Sequence, residues 1–133
     1  GIRRRRRPSF GYRSGPAEIA IVEVSLAVRR GAAGAIRAAR ARIAAKRTWM
    51  KGLHCAGSVF KNPAGDYAGR LIEKCGLKGA PAGGATISRR HANVIVASKG
   101  ARASDVLALM EQARMAVKEK FGIELENEVQ VIE

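Results

Sequence analysis

The sequence of 133 residues is poor in features that mark several protein classes. Aromatic residues make up only 5% of it, so the stacking platforms of single-strand nucleic-acid binders are scarce. No apolar run approaches the ~20 residues that cross a bilayer, and no continuous apolar stretch of a signal peptide follows the basic N-terminus. We therefore expect neither a membrane protein nor a secreted one, and we predict a cytoplasmic location.

Cysteine is also rare. Only Cys55 and Cys75 occur, with no Cys-x-x-Cys spacing and no pair of histidines at the distance that zinc ligands need. The pattern excludes the common zinc motifs, and we predict no metal site. Two isolated cysteines are typical of small, reduced side chains in a cytosolic protein.

Acidic residues are few: 11 stand against 25 bases, which gives a formal net charge of +14. Such a charge ordinarily indicates a polyanionic partner such as nucleic acid. The bases are concentrated in the run Arg3 to Arg7 and between Arg37 and Arg47, whereas both signs are mixed after Cys55. Adjacent arginines repel one another and favour a solvated tail, so a tail and a contact with a polyanion both remain open.

Hydrophobic residues make up 47% of the chain, which is enough for one modest core. Residues 18–28 alternate between apolar and polar side chains, which predicts a half-buried strand. Residues 31–47 are rich in Ala and Arg with a weak apolar stripe, which predicts a helix. Asp66 is placed to begin a short helix that Gly76 ends, and residues 76–85 predict a tightly bending connection.

The C-terminal half has clearer periodicity. A short apolar strand is predicted over 93–97 and a last strand over about 123–132. Between them, a helix begins at Ser104 or Asp105, carries an apolar stripe and ends at Phe121-Gly122; the stripe is Val106, Met110, Ala113 and Val117. The element order predicts an α+β fold, with a small mixed or antiparallel sheet packed with about three helices.

The densest cluster of chemically active residues is the segment from Ala56 to Pro63. Ser58, Lys61 and Asn62 supply a hydroxyl, a cation and an amide within five positions. The segment is neither a Gly-x-Ser-x-Gly nucleophile elbow nor a phosphate-binding Walker loop. From the residues alone, an ordinary turn, with Asn62-Pro63 as its turn residues, is the favoured interpretation.

This segment begins a series of motifs that, in order and spacing, resemble the C-terminal region of the UDP-N-acetylenolpyruvoylglucosamine reductases. The motifs are Ala56-Gly57-Ser58-Val59-Phe60-Lys61-Asn62-Pro63, Ala68-Gly69-Arg70-Leu71-Ile72-Glu73, Gly76-Leu77-Lys78-Gly79, His91-Ala92-Asn93 and Leu125-Glu126-Asn127-Glu128-Val129. Upstream, Phe10-Gly11-Tyr12-Arg13 resembles the tyrosine–arginine element of the same family.

The resemblance implies an oxidoreductase of peptidoglycan synthesis. In that family, NADPH reduces FAD, and reduced FAD delivers a hydride to the enolpyruvyl double bond of UDP-N-acetylglucosamine enolpyruvate, giving UDP-N-acetylmuramate. By resemblance, Ser58 is the proton donor, Arg13 binds the substrate carboxylate, and Glu128 is the third catalytic residue. The permanently charged guanidinium and a protonated carboxyl suit the negative charge that develops beside the substrate carboxylate. The resemblance also assigns substrate contacts to Tyr12, Lys61, Asn62 and His91.

The sequence departs from the family in its end, Gln130 to Glu133, and in Ser14-Gly15 after the Tyr-Arg element. The family's glycine-rich flavin segment is not seen, so we expect residues 1–16 to be a basic tail and the end of an absent FAD-binding domain. Residues 17–30 would link to that domain, and 31–133 would form the substrate-binding domain. We expect a fragment that alone neither holds FAD tightly nor turns over. A small basic nucleic-acid-binding protein and a regulatory module derived from the reductase are the alternatives.

Overall fold

The structure is a computed structural model that describes residues 10–15 and 22–132. The chain divides into two compact units, Gly1–Trp49 and Met50–Glu133. In the first unit, helix α1 spans Ala33–Arg47, which confirms the helix predicted over 31–47. A single 3-10 turn, Thr48–Met50, follows it. The predicted substrate-binding domain began at residue 31 and so included α1, which the structure groups with the first unit.

The strand predicted over 18–28 is wrong where the structure describes it. Residues 22–28 form no strand, and the side chains of its apolar face are 64–86% exposed; these are Val22, Val24, Leu26 and Val28. Alternation makes a strand only when a neighbouring strand takes up its backbone hydrogen bonds and another layer covers its apolar face. Among the described residues, no strand pairs with this stretch. Residues 18–21 lie outside the described part.

The second unit contains two helices and a three-stranded sheet. The elements in chain order are helix α2 at Ala68–Lys74, strands β1 at Pro81–Ala82, β2 at Ala85–Ile87 and β3 at Ile95–Ala97, and helix α3 at Ala103–Phe121. The sheet is antiparallel in the order β1-β2-β3, with Thr86 opposite both Pro81 and Val96. The predicted α+β class is therefore confirmed, and the sheet is antiparallel rather than mixed.

Helix α3 packs on all three strands and on α2, and it carries the centre of the core. It buries Leu109, Met110, Ala113 and Val117, whereas the predicted stripe residue Val106 is only half-buried at its margin. Leu71 and Ile72 of α2 and Ile87 of β2 are almost fully enclosed around it. Gly122 ends the helix with a φ of 67°, in the left-handed region that glycine adopts without penalty.

Two stretches near the sheet differ from prediction. The connection predicted over 76–85 contains the β1–β2 hairpin, whose strands of two and three residues are too short to show a period. The last strand predicted over 123–132 does not form. Within that stretch the described residues show a single bridge, Asn127 opposite Phe60, because the segment has only a short backbone edge to pair with.

Candidate active site

The segment that carries Ser58 lies between two other stretches of backbone. On one side, Ser58 bridges Val94, and the Val59 N–H donates to the Asn93 carbonyl at 3.0 Å. On the other side, the Lys61 N–H donates to the Glu126 carbonyl at 2.8 Å. The segment from Ser58 to Lys61 is thereby held as the middle of three extended pieces, although it belongs to none of the named strands.

Ser58 lines an open cleft of about 330 Å³ in the second unit. The lining combines a hydroxyl, amides, an aromatic ring, an imidazole and charges of both signs: Ser58, Asn62, Tyr67, Arg70, Glu73, Arg90, His91 and Asn93, with Gly69 and Ala92. Three residues that the sequence singles out, Ser58, Asn62 and His91, are brought together here. A concave surface with convergent polar groups of this kind is the usual form of a small-molecule site.

Asn62 and His91 are each fixed from within the unit. The Asn62 Oδ1 atom accepts the Ala68 N–H at 3.1 Å, so the side chain satisfies a donor at the start of α2. The His91 Nδ1 atom accepts the Asn93 N–H at 3.2 Å. Gly69 of α2 lies so close to this ring that a Cβ built on it would be 3.0 Å from His91 Cε1. The short helix α2 therefore approaches the cleft through a residue without a side chain.

Two other predicted site residues do not line the cleft. Lys61 forms an ion pair with Glu126 across the neighbouring backbone piece, and 25% of its side chain is exposed. Glu128 is half-buried, and its N–H donates to the Val59 carbonyl at 2.9 Å, one residue beyond Ser58. Glu128 is thus close to Ser58 along the paired backbones, but the cleft is bounded by other residues.

Tyr12 and Arg13 lie in the first unit, Gly1–Trp49. They form the tip of a tight turn, which two backbone hydrogen bonds between Gly11 and Ser14 close at 3.1 and 3.3 Å. Arg13 has a φ of 53°, a conformation that costs free energy for a residue with a side chain. Its guanidinium carbon lies 5.8 Å from the centre of the Tyr12 ring, within the range of a cation–π contact.

The pKa of Asp66, whose partner Arg70 lines the cleft, is strongly lowered. The Arg70 guanidinium contacts the Asp66 carboxylate, and the Tyr67 N–H donates to the same group at 2.6 Å. Hydrogen bonds from Arg70 and then from the Tyr67 backbone lower the pKa of Asp66 from 3.8 to about 2. Arg70 therefore faces the cleft already bound to a carboxylate, which fixes its direction.

The sequence did not single out several residues that the structure brings to the cleft. Asn93 is 3% exposed, Arg90 and Tyr67 are exposed, and Arg70 lies one turn into α2. Two signals could have found some of them. Asp66 and Arg70 have the i,i+4 spacing of a helical ion pair, and Asn93 is an isolated amide at the start of an apolar strand.

Comparison with known proteins gives the family. The family model described as "UDP-N-acetylenolpyruvoylglucosamine reductase, C-terminal domain" matches residues 49–132, which include the whole cleft. The chain belongs to this family. The C-terminal portion recognised from the sequence motifs is therefore confirmed.

Individual relatives agree with the family match. The chain is 51% identical over 107 residues to a UDP-N-acetylenolpyruvoylglucosamine reductase of Chloroflexus aurantiacus, covering 79% of the chain and 36% of that relative. It is 45% identical over 128 residues to such a reductase of Symbiobacterium thermophilum, covering 92% of the chain and 41% of that relative. The chain thus spans well under half the length of the curated relatives it matches.

A solved structure supports the fold. The crystal structure of the Thermus caldophilus UDP-N-acetylenolpyruvylglucosamine reductase matches with a TM-score of 0.61 and 41% identity, over 74% of this chain and 35% of that one. None of the helices within residues 10–15 and 22–132 combines the length and the apolar character that a membrane-spanning segment needs.

Proposed function

We propose that this chain supplies the substrate-binding and proton-donating part of a UDP-N-acetylenolpyruvoylglucosamine reductase acting in the cytoplasm. The observation that carries the proposal is the family match over residues 49–132, within which Ser58, Asn62 and His91 share one cleft. The substrate is UDP-N-acetylglucosamine enolpyruvate, the product UDP-N-acetylmuramate, and the process peptidoglycan synthesis.

The reaction adds a hydride to one carbon of the enolpyruvyl double bond and a proton to the other. Ser58 is proposed to give that proton. A serine hydroxyl is a weak acid, so it donates only to a strongly basic carbon and only when it is held in place. The clamping of the Ser58 segment between two backbone neighbours supports this role, because it limits the positions of the hydroxyl.

The other assigned residues would handle negative charge. Arg13 is proposed to bind the substrate carboxylate as a fixed cation. Glu128, the third catalytic residue by resemblance, is proposed to act at the enolate that forms when the hydride arrives. Tyr12, Lys61, Asn62 and His91 are proposed substrate contacts. For Lys61 this requires release of the ion pair with Glu126.

The hydride is proposed to come from FAD, itself reduced by NADPH. Among the described residues, none of the three helices follows a strand through a Gly-x-Gly-x-x-Gly loop, so they form no flavin site of that dinucleotide-binding kind. We therefore assign FAD and NADPH to a flavin domain that precedes this region in the working enzyme. On its own, the present chain is expected to retain no FAD after desalting.

A chimera tests the proposal. This chain replaces the matching region of the Chloroflexus aurantiacus reductase, and NADPH oxidation is measured with and without UDP-N-acetylglucosamine enolpyruvate. We expect oxidation that depends on this substrate. A folded, flavin-loaded chimera that shows no such dependence would reject the proposed function.

Stopped-flow measurement of each half-reaction tests Ser58. We expect Ser58→Ala to slow the reoxidation of flavin by substrate by ~10²–10⁴-fold, the usual value of a general acid, and to leave the reduction by NADPH unchanged. Ser98→Ala is the matched control, because the Ser98 hydroxyl donates to the Gly84 carbonyl outside the cleft. Equal loss of both half-reactions would remove Ser58 from the proton-donor role.

The relatives reported above are all reductases, so the nucleic-acid alternative gains no support from them.

A further inference from the structure

We propose that Asn93 is the positioning residue of the cleft, which holds the Ser58 segment and the His91 ring in a fixed relation. The inference rests on the proposed function, because it is the chemistry of this cleft that the positioning serves. Asn93 is 3% exposed and, with Ser88, is one of two buried polar residues among those that the structure describes. A buried amide is costly unless its hydrogen bonds are made, so its partners indicate what it does.

The side chain of Asn93 binds both backbone polar groups of one residue, Phe60. Its Oδ1 atom accepts the Phe60 N–H at 2.9 Å, and its Nδ2 atom donates to the Phe60 carbonyl at 2.8 Å. The Asn93 carbonyl also accepts the Val59 N–H at 3.0 Å. Asn93 thereby replaces a neighbouring strand for the two residues that follow Ser58.

The backbone of the same residue fixes the imidazole. The Asn93 N–H donates to His91 Nδ1 at 3.2 Å, so in the neutral ring the proton is carried by Nε2, which is then a donor. Gly69 leaves room for the ring on its other side: a Cβ there would lie 3.0 Å from His91 Cε1 and 3.6 Å from Asn93 Cβ. One buried residue therefore sets both the tautomer of His91 and the place of the Ser58 backbone.

Removal of the Asn93 amide would shift the segment without detaching it. On the opposite edge, the Lys61 N–H still binds the Glu126 carbonyl, and the Glu128 N–H still binds the Val59 carbonyl. The backbone N–H and carbonyl of Phe60, however, would both lose their partners on Asn93, and this backbone would move to find others. Since a displacement of about 1 Å in a reacting group can cost ~10²-fold in rate, proton donation by Ser58 would suffer first.

Hydrogen exchange on the full 133-residue chain tests the inference without any flavin. In Asn93→Ala, we expect the protection of the Phe60 amide to fall ~10-fold or more relative to Val117→Ala. Val117 is the matched control because it is fully buried in α3, away from the cleft, and its truncation lowers global stability alone. Equal protection of Phe60 in the two folded variants would overturn the inference.

A second variant, Asn93→Asp, keeps the inference testable if Asn93→Ala does not fold. Asn93→Asp keeps the shape and the acceptor for the Phe60 N–H, but an ionised carboxylate cannot donate to the Phe60 carbonyl. In the chimera, both variants should slow flavin reoxidation by substrate ~10-fold or more and spare reduction by NADPH. Equal slowing of both half-reactions, or failure of both variants to fold where Val117→Ala folds, would reduce Asn93 to a structural residue and overturn the inference. If the parent chimera shows no turnover, the proposed function fails, and hydrogen exchange still decides whether Asn93 holds the segment.

Discussion

The turn between β1 and β2 brings the backbone of Gly84 against the loop before α3. A Cβ built on Gly84 would lie 2.6 Å from the Cα and 2.9 Å from the N of Ala101. Three hydrogen bonds hold Gly84 in this place: its N–H donates to Asp105 Oδ2 at 2.9 Å, and its carbonyl accepts the N–H and the Oγ–H of Ser98, each at 2.8 Å. Gly84→Ala therefore forces backbone against backbone, where no side chain can rotate away.

The size of the effect follows from these distances. Non-bonded carbon atoms rest about 3.5–4.0 Å apart, so the new methyl group is too close by roughly 1 Å. Overpacking of this kind costs about 1–3 kcal/mol, and loosening the Ser98 backbone hydrogen bond adds about 1 kcal/mol. We expect Gly84→Ala to lower the free energy of unfolding by about 2–4 kcal/mol. At about 4–8 °C per kcal/mol for a domain of this size, the Tm should fall by roughly 10–30 °C.

Gly122→Ala separates steric overlap from backbone preference. A Cβ at Gly122 meets no atom within 4 Å, but its φ is 67°, so alanine there pays only the left-handed backbone cost of about 1–2 kcal/mol. Urea unfolding of both variants, followed by circular dichroism, measures the two effects. If Gly84→Ala loses no more stability than Gly122→Ala, the close approach to Ala101 does not constrain the fold.

Two further predictions concern charged residues. The folded-state pKa of Asp66 is lowered to about 2 by its bonds to Arg70 and the backbone, so its contribution to stability is complete above pH 3.8 and is lost as the pH falls towards 2. Urea unfolding between pH 5 and pH 2 should show that the free energy of unfolding depends less on pH in Asp66→Asn than in the parent. Some dependence should remain in both proteins, because the pKa of Asp105 is also lowered. Equal slopes of the two proteins would contradict this prediction. Arg114 donates to Asn127 Oδ1 at 2.9 Å, so Arg114→Met should destabilise the chain by about 1 kcal/mol and increase amide exchange around Asn127, and unchanged exchange there would contradict the contact.

Local sequence patterns are enough to predict the two long helices. Helix α3 has 19 residues with a stripe at helical spacing and a glycine at its end, so its pattern repeats over several turns. Helix α1 was found by composition, although its isoleucines Ile36 and Ile43 are 50% and 61% exposed. Both helices satisfy their backbone hydrogen bonds internally, and for that reason a local pattern can specify them.

Strands depend on partners that are distant in sequence, and there the prediction failed in both directions. Residues 22–28 alternate well but have no pairing strand among the described residues, whereas β1 and β2 pair with only two and three residues each. The hairpin depends on the close approach of Gly84 to Ala101, a contact across seventeen positions that no periodicity encodes. The short strands are therefore a result of tertiary packing rather than of propensity.

The candidate site shows the same limit. The family motifs contain Ser58, Asn62, His91 and Asn93, but no local pattern indicates that the Asn93 side chain pairs with the backbone of Phe60 beside the cleft. Without the family resemblance, the Ala56–Pro63 segment is interpreted in the first place as a simple turn. What separates the two interpretations is the hydrogen bonding of the Phe60 peptide to a residue 33 positions away.

The pairing of Asn93 with Phe60, two residues from Ser58, suits the chemistry proposed for Ser58. Because a hydroxyl is a poor acid, proton transfer depends on geometry more than on acidity, and geometry is best fixed through the backbone. A regular strand would fix it equally well, but its edge would have to continue along the sheet. The Asn93 side chain pairs with the backbone of one residue, Phe60, and then ends, so the chain can turn at Asn62, whose side chain caps α2 at Ala68. Rigidity at Ser58 and an open cleft beside it are thus compatible, because at Phe60 the backbone pairing next to Ser58 passes to the side chain of Asn93 instead of continuing as a strand.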